Sequence, residues 1–206
     1  MENAELRIPE LPFPLHAHGP DGHWSYADGA LTGRAGARQD RFVPPAGGSL
    51  EPASDAPRLL GAAPEGDFQL IARVTVGFAA AFDAGVLYLH VGEREWAKLC
   101  YERSPDEPTI CTVVTRGRSD DANSFVVPGS TVWLRITRTG TAFAFHASTD
   151  GEKWTFVRVF ALGDEQSAAA ARVGFLAQSP TGEGCAVTFD CIELRPGAPK
   201  DLRDGN

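Results

Sequence analysis

The chain has 206 residues and a mass of 22.0 kDa, with 43% hydrophobic and 22% charged residues. That is enough for one domain with a full core, and it is unlike a disordered chain. Nineteen Lys and Arg face 27 Asp and Glu, giving a net charge of -8 and a pI near 5.1, which argues against nucleic acid as a partner because phosphate backbones need a basic surface. No apolar run nears the roughly 20 residues of a membrane helix, and the acidic, proline-bearing start lacks the basic-then-apolar order of a secretory signal. The expectation is a cytoplasmic protein, away from membranes, with Cys100, Cys111, Cys185 and Cys191 mostly reduced.

Residues 1–19 read as an N-terminal leader. It carries His16 and His18, followed by Asp21 and His23. Such a group suits zinc or nickel, but nothing in a Pro/Gly-rich leader fixes its geometry, and solvated histidines account for it more simply. Short strand candidates follow at 24–26, 30–34, 39–42 and 58–61, interrupted by a Pro/Gly-rich surface loop at 44–57. From 67 to 78, Phe68, Leu70, Ala72, Val74, Val76 and Phe78 recur at period two, the mark of a half-buried strand. The same alternation marks 86–91, 96–102 and 131–138, and further strand candidates lie at 110–116, 125–127, 141–148, 154–160, 172–177 and 185–194. Only 164–172, with four consecutive alanines, has helix propensity, worth about two turns. The segment 196–206 loses all periodicity and reads as a mobile tail. Many short strands with almost no helix predict an all-β sandwich of two antiparallel sheets over 20–195, with one short helix at most.

The turn between Glu102 and Thr109, closed symmetrically, places Cys100 opposite Cys111, where oxidation would join them and a reducing compartment would leave two thiols. Cys185 and Cys191 fall on one face of one strand at a spacing that fits no zinc site. Ser148, Asp150, Gly151 and Trp154 look like a sugar-site motif, but turn chemistry explains the first three and packing the fourth. A nucleophile elbow, a phosphate loop and a dinucleotide fingerprint are all missing. Glu93 and Glu95, the one carboxylate pair at hydrolytic spacing, sit in a turn without an apolar pocket to raise a pKa. A non-catalytic protein without a cofactor is expected. A structural Ca²⁺ held by Asp190 or Asp83 is the one metal alternative beside the histidines.

The extended signal lies on successive strands. Tyr88 and His90, then Trp96, Lys98 and Glu102, then Cys111 and Thr115 share one alternation class, while Leu87, Leu89, Leu99, Tyr101 and Val114 occupy the other. With the aliphatic class inside, an indole, an ammonium and a carboxylate meet on the outer face of one sheet. There they could stack on and hydrogen-bond a carbohydrate or other small polar ligand, with Arg116 and Asp120 at the rim. A solvated face with Lys98–Glu102 or Lys98–Glu95 ion pairs, and Trp96 half-covered by a loop, fits the same pattern. The residue types also suit a protein partner, and a cryptic glycoside hydrolase is the third alternative.

Asp83 through Leu87, Trp96-Ala97-Lys98, Tyr101-Glu102, Val113 through Arg116 and Ser119-Asp120 resemble the family called domain of unknown function 1349, or regulation-of-enolase-like. The likeness extends from about Pro20 to Arg195 through Trp24, Gly29 through Leu31, Asp40 through Phe42, Val132 through Arg135, Ser148 through Trp154, Val173 through Phe175 and Thr188 through Asp190. The resemblance implies a concanavalin A-like lectin/glucanase jelly roll, similar to the C-terminal sandwich of bacterial xylosidases, with a lectin-like face. In one fungal branch it implies a regulatory role in sugar metabolism. Where the family usually places Trp after Ser-Asp, this chain has Asp121, so one aromatic of that face is replaced by a charge.

Overall fold

The computed structural model describes residues 5–20, 23–47 and 55–205. In chain order the strands are β1 (Glu5–Leu6), β2 (Leu15–His18), β3 (His23–Ala27), β4 (Ala30–Ala35), β5 (Arg58–Ala62), β6 (Phe68–Val76), β7 (Ala84–Gly92), β8 (Glu95–Arg103) and β9 (Pro108–Arg116). They continue with β10 (Arg118–Val126), β11 (Thr131–Thr139), β12 (Ala142–Ser148), β13 (Thr155–Ala161), β14 (Arg172–Gln178) and β15 (Cys185–Pro196), and the single described helix α1 is Glu165–Ala169. Eight strands form one antiparallel sheet in the order β1-β2-β5-β14-β7-β8-β9-β10, and seven form another, β13-β12-β11-β6-β15-β4-β3. None of the described helices is long and apolar enough to cross a membrane.

Period-two alternation is what lets the sheets meet. Leu70, Ala72 and Val74 of β6, Leu134 and Ile136 of β11, Phe143 and Phe145 of β12 and Phe189 of β15 form one inner layer. Leu87 and Leu89 of β7, Leu99 and Tyr101 of β8, Val114 of β9 and Phe175 of β14 form the other, all of them buried. Two sheets closing face to face on such layers are a sandwich. The Tyr101 hydroxyl reaches the edge of this core, where it donates to the carbonyls of Val127 at 2.9 Å and Gly129 at 2.8 Å.

The structure corrects the sequence reading in several places. The leader is not separate: Leu15 is fully buried, and β2 pairs with β5 through His16 beside Leu60 and His18 beside Arg58. The 196–206 tail is docked through residue 205 rather than loose, since the Leu202 carbonyl takes a hydrogen bond from His146 Nε2 at 2.6 Å. Strand β10 starts seven residues earlier than its apolar end suggests, because an edge strand solvated on both sides shows no alternation. Residues 39–42 make a lone bridge, Gln39 to Ser179, instead of a strand. In β15 a bulge between Asp190 and Glu193 separates the two cysteines of that strand, so Cys185 is buried and Cys191 exposed.

Candidate functional site

The β7–β8–β9 register places Tyr88 beside Lys98, His90 beside Trp96, Glu102 beside Thr109 and Cys100 beside Cys111. Tyr88, His90, Trp96, Lys98 and Glu102 therefore share the outer face of the eight-stranded sheet, as alternation requires. Arg116 and Asp120 do not join them. Their cross-strand neighbours are Glu95 and Val114, the opposite parity. Arg116 donates to the Ala161 carbonyl at 2.6 Å, and Asp120 accepts from Arg158 of β13 at 3.0 Å, so both lie at the margin facing the other sheet. Asp121 takes the place expected of Asp120: it pairs with Val113, the neighbour of Lys98.

The shared face is not open to solvent. Tyr88 is fully buried, and Trp96 and Lys98 are 1% and 2% exposed. A strap made of residues 39–43 and 55–57 lies over them. Its Phe42, Val43 and Ala56 pack with Val86, Tyr88, Trp96, Cys100, Val113 and Leu176 into a second apolar cluster. Arg41 anchors it, with its guanidinium 5.3 Å from the Trp96 ring centre and its Nε donating to the Tyr88 hydroxyl at 2.8 Å. Asp55 pairs with Arg41 at 3.1 Å and with Arg58 at 2.8 Å. The solvated-face expectation and the surface pairs Lys98–Glu102 and Lys98–Glu95 are corrected accordingly: Lys98 Nζ donates to Asp40 at 3.1 Å and to Gln178 Oε1 at 2.9 Å. Gln178 in turn donates to Glu102 at 3.1 Å.

This chain of partners sets the charges. Burial works against the Lys98 ammonium, but the Asp40 carboxylate, its hydrogen bond and the neighbouring Cys100 and Glu102 together outweigh it and raise the pKa. Burial, reinforced by Asp121 and Asp40 and opposed by Lys98, raises Glu102 to about 7. Burial, then the charges of Arg172, Arg41 and Arg58, lowers His90 to about 4. Asp40, Gln178 and Asp121 are parts of the network that alternation within the central strands did not reveal. Asp40 comes from the strap, Gln178 from a strand remote in sequence, and Asp121 is found only once the tight β9–β10 turn fixes the register.

Toward β2 the face opens. A groove of about 290 Å³ is lined by Phe13, Pro14, His16, His18, Leu60, Ala62 and Arg172. Arg172 donates to His18 Nε2 at 3.4 Å, and burial followed by the Arg172 charge lowers the His18 pKa. The three-histidine metal cluster does not assemble: His16 and His18 lie in one sheet and His23 in the other, while Asp21 is outside the described residues. Asp190 is held by Arg73 through two contacts of 2.7 Å. Asp83 caps a turn, accepting from the Ala79 and Ala80 amides at 2.9 and 2.8 Å and from Ser179 at 2.6 Å. Both carboxylates proposed for Ca²⁺ thus have internal partners, and no metal-ready group of three ligands occurs among the described residues. Glu93 sits in the β7–β8 turn with an exposed side chain, apart from Glu95, which opens β8 opposite Arg116.

A family model described as protein of unknown function (DUF1349) matches residues 17–197. A curated relative from Saccharomyces cerevisiae (strain ATCC 204508 / S288c), "Regulation of enolase protein 1", is 27% identical over 154 residues, covering 73% of this chain and 75% of that protein. Among solved structures, a functionally unknown protein from Saccharomyces cerevisiae superposes with a TM-score of 0.75 at 19% identity, over 90% of this chain and 97% of that one. The K247S mutant of the GH43 protein BlXynB from Bacillus licheniformis matches with a TM-score of 0.70 at 12% identity, over 95% of this chain but 38% of the enzyme. At these identities the structural likenesses carry the fold alone.

Proposed function

The chain belongs to the DUF1349 family, and from that premise we propose that it is a non-catalytic, cytoplasmic binding module. It takes a carbohydrate or similar small polar ligand at the open end of the eight-stranded sheet's outer face. The observation behind this reading is the groove at His16, His18 and Arg172, where apolar walls (Phe13, Pro14, Leu60 and Ala62) stand beside hydrogen-bonding groups. A mixed lining suits a ligand with both a hydrophobic face and hydroxyls, and about 290 Å³ lies near the lower end of small-molecule sites, roughly 300–1,000 Å³. Trp96 and Lys98 stay sealed under the strap outside this lining, and His90, beside Arg172 in the β7–β14 register, is the face residue next to the groove. The carboxylates Asp40, Asp55 and Glu102 are all engaged by cations or an amide, which favours holding a ligand over hydrolysing one. Calorimetric titration with a panel of mono- and disaccharides tests this: binding that an Arg172→Gln variant weakens tenfold supports it, and a flat panel removes it.

The relative's printed name favours a second reading, in which the module regulates an enzyme of sugar metabolism by direct contact. Titrating purified enolase from the same organism with the chain, and following both complex formation and turnover, separates the two. A stoichiometric complex with altered turnover and a flat sugar panel would establish the second reading.

A further inference from the structure

The outer face of the seven-stranded sheet carries a site of different chemistry, independent of the one above. Arg135 lies in the middle of β11, beneath the docked segment that follows β15, and is only 2% exposed. Its guanidinium stands 4.3 Å from the Trp154 ring centre and donates to the Gly205 carbonyl at 2.6 Å, while its buried Nε has no acceptor. Among the described residues no carboxylate comes within 4.0 Å of it. Burying a cation without a counter-charge is costly, and natural proteins pair such groups or use them. The strain registers in the group itself, since burial followed by repulsion from Arg195 pulls its pKa down to about 10.

In front of this guanidinium lies a cavity of about 600 Å³, lined among others by Gln69, Arg135, Trp154, Arg195 and Lys200. Three of its lining side chains are cationic against one acid, Glu152. Arg195 is already gripped by Glu193 at 2.5 and 2.7 Å, which leaves Arg135 as the buried cation of this lining that no carboxylate of the described residues pairs with.

We propose that this cavity binds a small organic oxyanion, the carboxylate or phosphate of a sugar-sized molecule, with Arg135 receiving the charged group against the Trp154 ring and Lys200 at the mouth. The planar guanidinium matches such oxyanions, and its N–H groups are worth most where water is excluded. The cavity volume lies within the range of small-molecule sites, roughly 300–1,000 Å³.

The test is calorimetric titration of the full chain at low salt with glucuronate, glucose 6-phosphate and glucose. At least one of the two anions should bind through Arg135, whereas any glucose binding belongs to the distant groove and should survive Arg135→Gln; the anion that binds tells a carboxylate site from a phosphate site. Arg135→Gln should abolish that anion's binding. Should Arg135→Gln fail to fold, Lys200→Glu, on the exposed segment, should weaken the affinity at least tenfold, and Arg172→Gln at the distant groove should leave it unchanged. The proposal is overturned if neither anion binds, if anion binding is lost with Arg172→Gln but kept with Arg135→Gln, or if Lys200→Glu leaves the affinity within twofold.

Discussion

At position 96 an indole lies on the outward parity of its strand with 1% of its surface exposed, so outward parity and exposure part company. The strap makes it a core residue of the second apolar cluster, beside Tyr88 at a ring-centre distance of 6.0 Å. Trp96→Ala should cost about 3–5 kcal/mol, the usual range for a buried aromatic. Urea unfolding checks this, and a loss below about 1 kcal/mol would mean that the strap does not hold the ring. Titration gives a second prediction. The folded pKa of Glu102 is raised to about 7 from a reference of 4.5, so the folded state prefers the protonated acid and stability falls as pH climbs through that window. Glu102→Gln should therefore be more stable than the parent by about 1–3 kcal/mol at pH 8, with the gap closing below pH 5. His90 and His146 act with the opposite sign. Each is held near 4 against a reference of 6.5, so the stability each contributes is present above 6.5 and disappears as pH falls toward 4. The two slopes overlap in the parent and separate in the single variants.

Among the elements, the strap shows best how an ion pair fixes a loop on a sheet. Asp40 reaches down from it to Lys98, which is buried at 2% exposure. Removing one member of a buried pair leaves an uncompensated charge, so Asp40→Ala should cost about 3–5 kcal/mol. The double variant Asp40→Ala, Lys98→Met should recover much of that loss, because a methionine fits the apolar cluster without needing an anion. Additive losses in a double-mutant cycle would show that the two groups do not depend on each other. This element also marks where the sequence stopped being informative. Strands β6, β7, β8, β9, β11 and β14 have one aliphatic parity, and the alternation located them and their shared face. The strap has no period: Asp40 and Arg41 acquire meaning only from contacts with Lys98 and Tyr88, 58 and 47 positions away. Strand β10 lies on an edge, and its polar run conceals the register that brings Asp121, not Asp120, to the face. Strand β2 is four residues long and buries Leu15 alone completely, too little for a periodic signal. Local patterning therefore gives the sandwich and half the site, while the non-local cover over that site has to be seen.

At the scale of the molecule, the sandwich has a separate cover on each outer face: the strap on the eight-stranded sheet and the 197–205 segment on the seven-stranded one. The second cover contributes nothing to the core between the sheets, so the fold should persist without it while the face beneath changes character. Its contacts are specific. The Leu202 carbonyl accepts from His146, the Gly205 carbonyl from Arg135, and the Arg203 guanidinium lies 5.3 Å from the Phe156 ring centre. Deleting residues 198–206 should leave the strand signature in far-ultraviolet circular dichroism intact and lower the melting temperature. It should also free His146 to titrate closer to 6.5 than to its folded value of about 4, because burial is the largest cause of that depression. Amide exchange should accelerate along β11 and β12, beneath the cover, and remain slow along β7 and β8, where the strap is untouched. Nuclear magnetic resonance of the His146 ring decides the matter. An unchanged titration in the shortened chain would mean that β12 and its neighbours shield the imidazole unaided, and the segment would then be a passenger on the sheet rather than its lid.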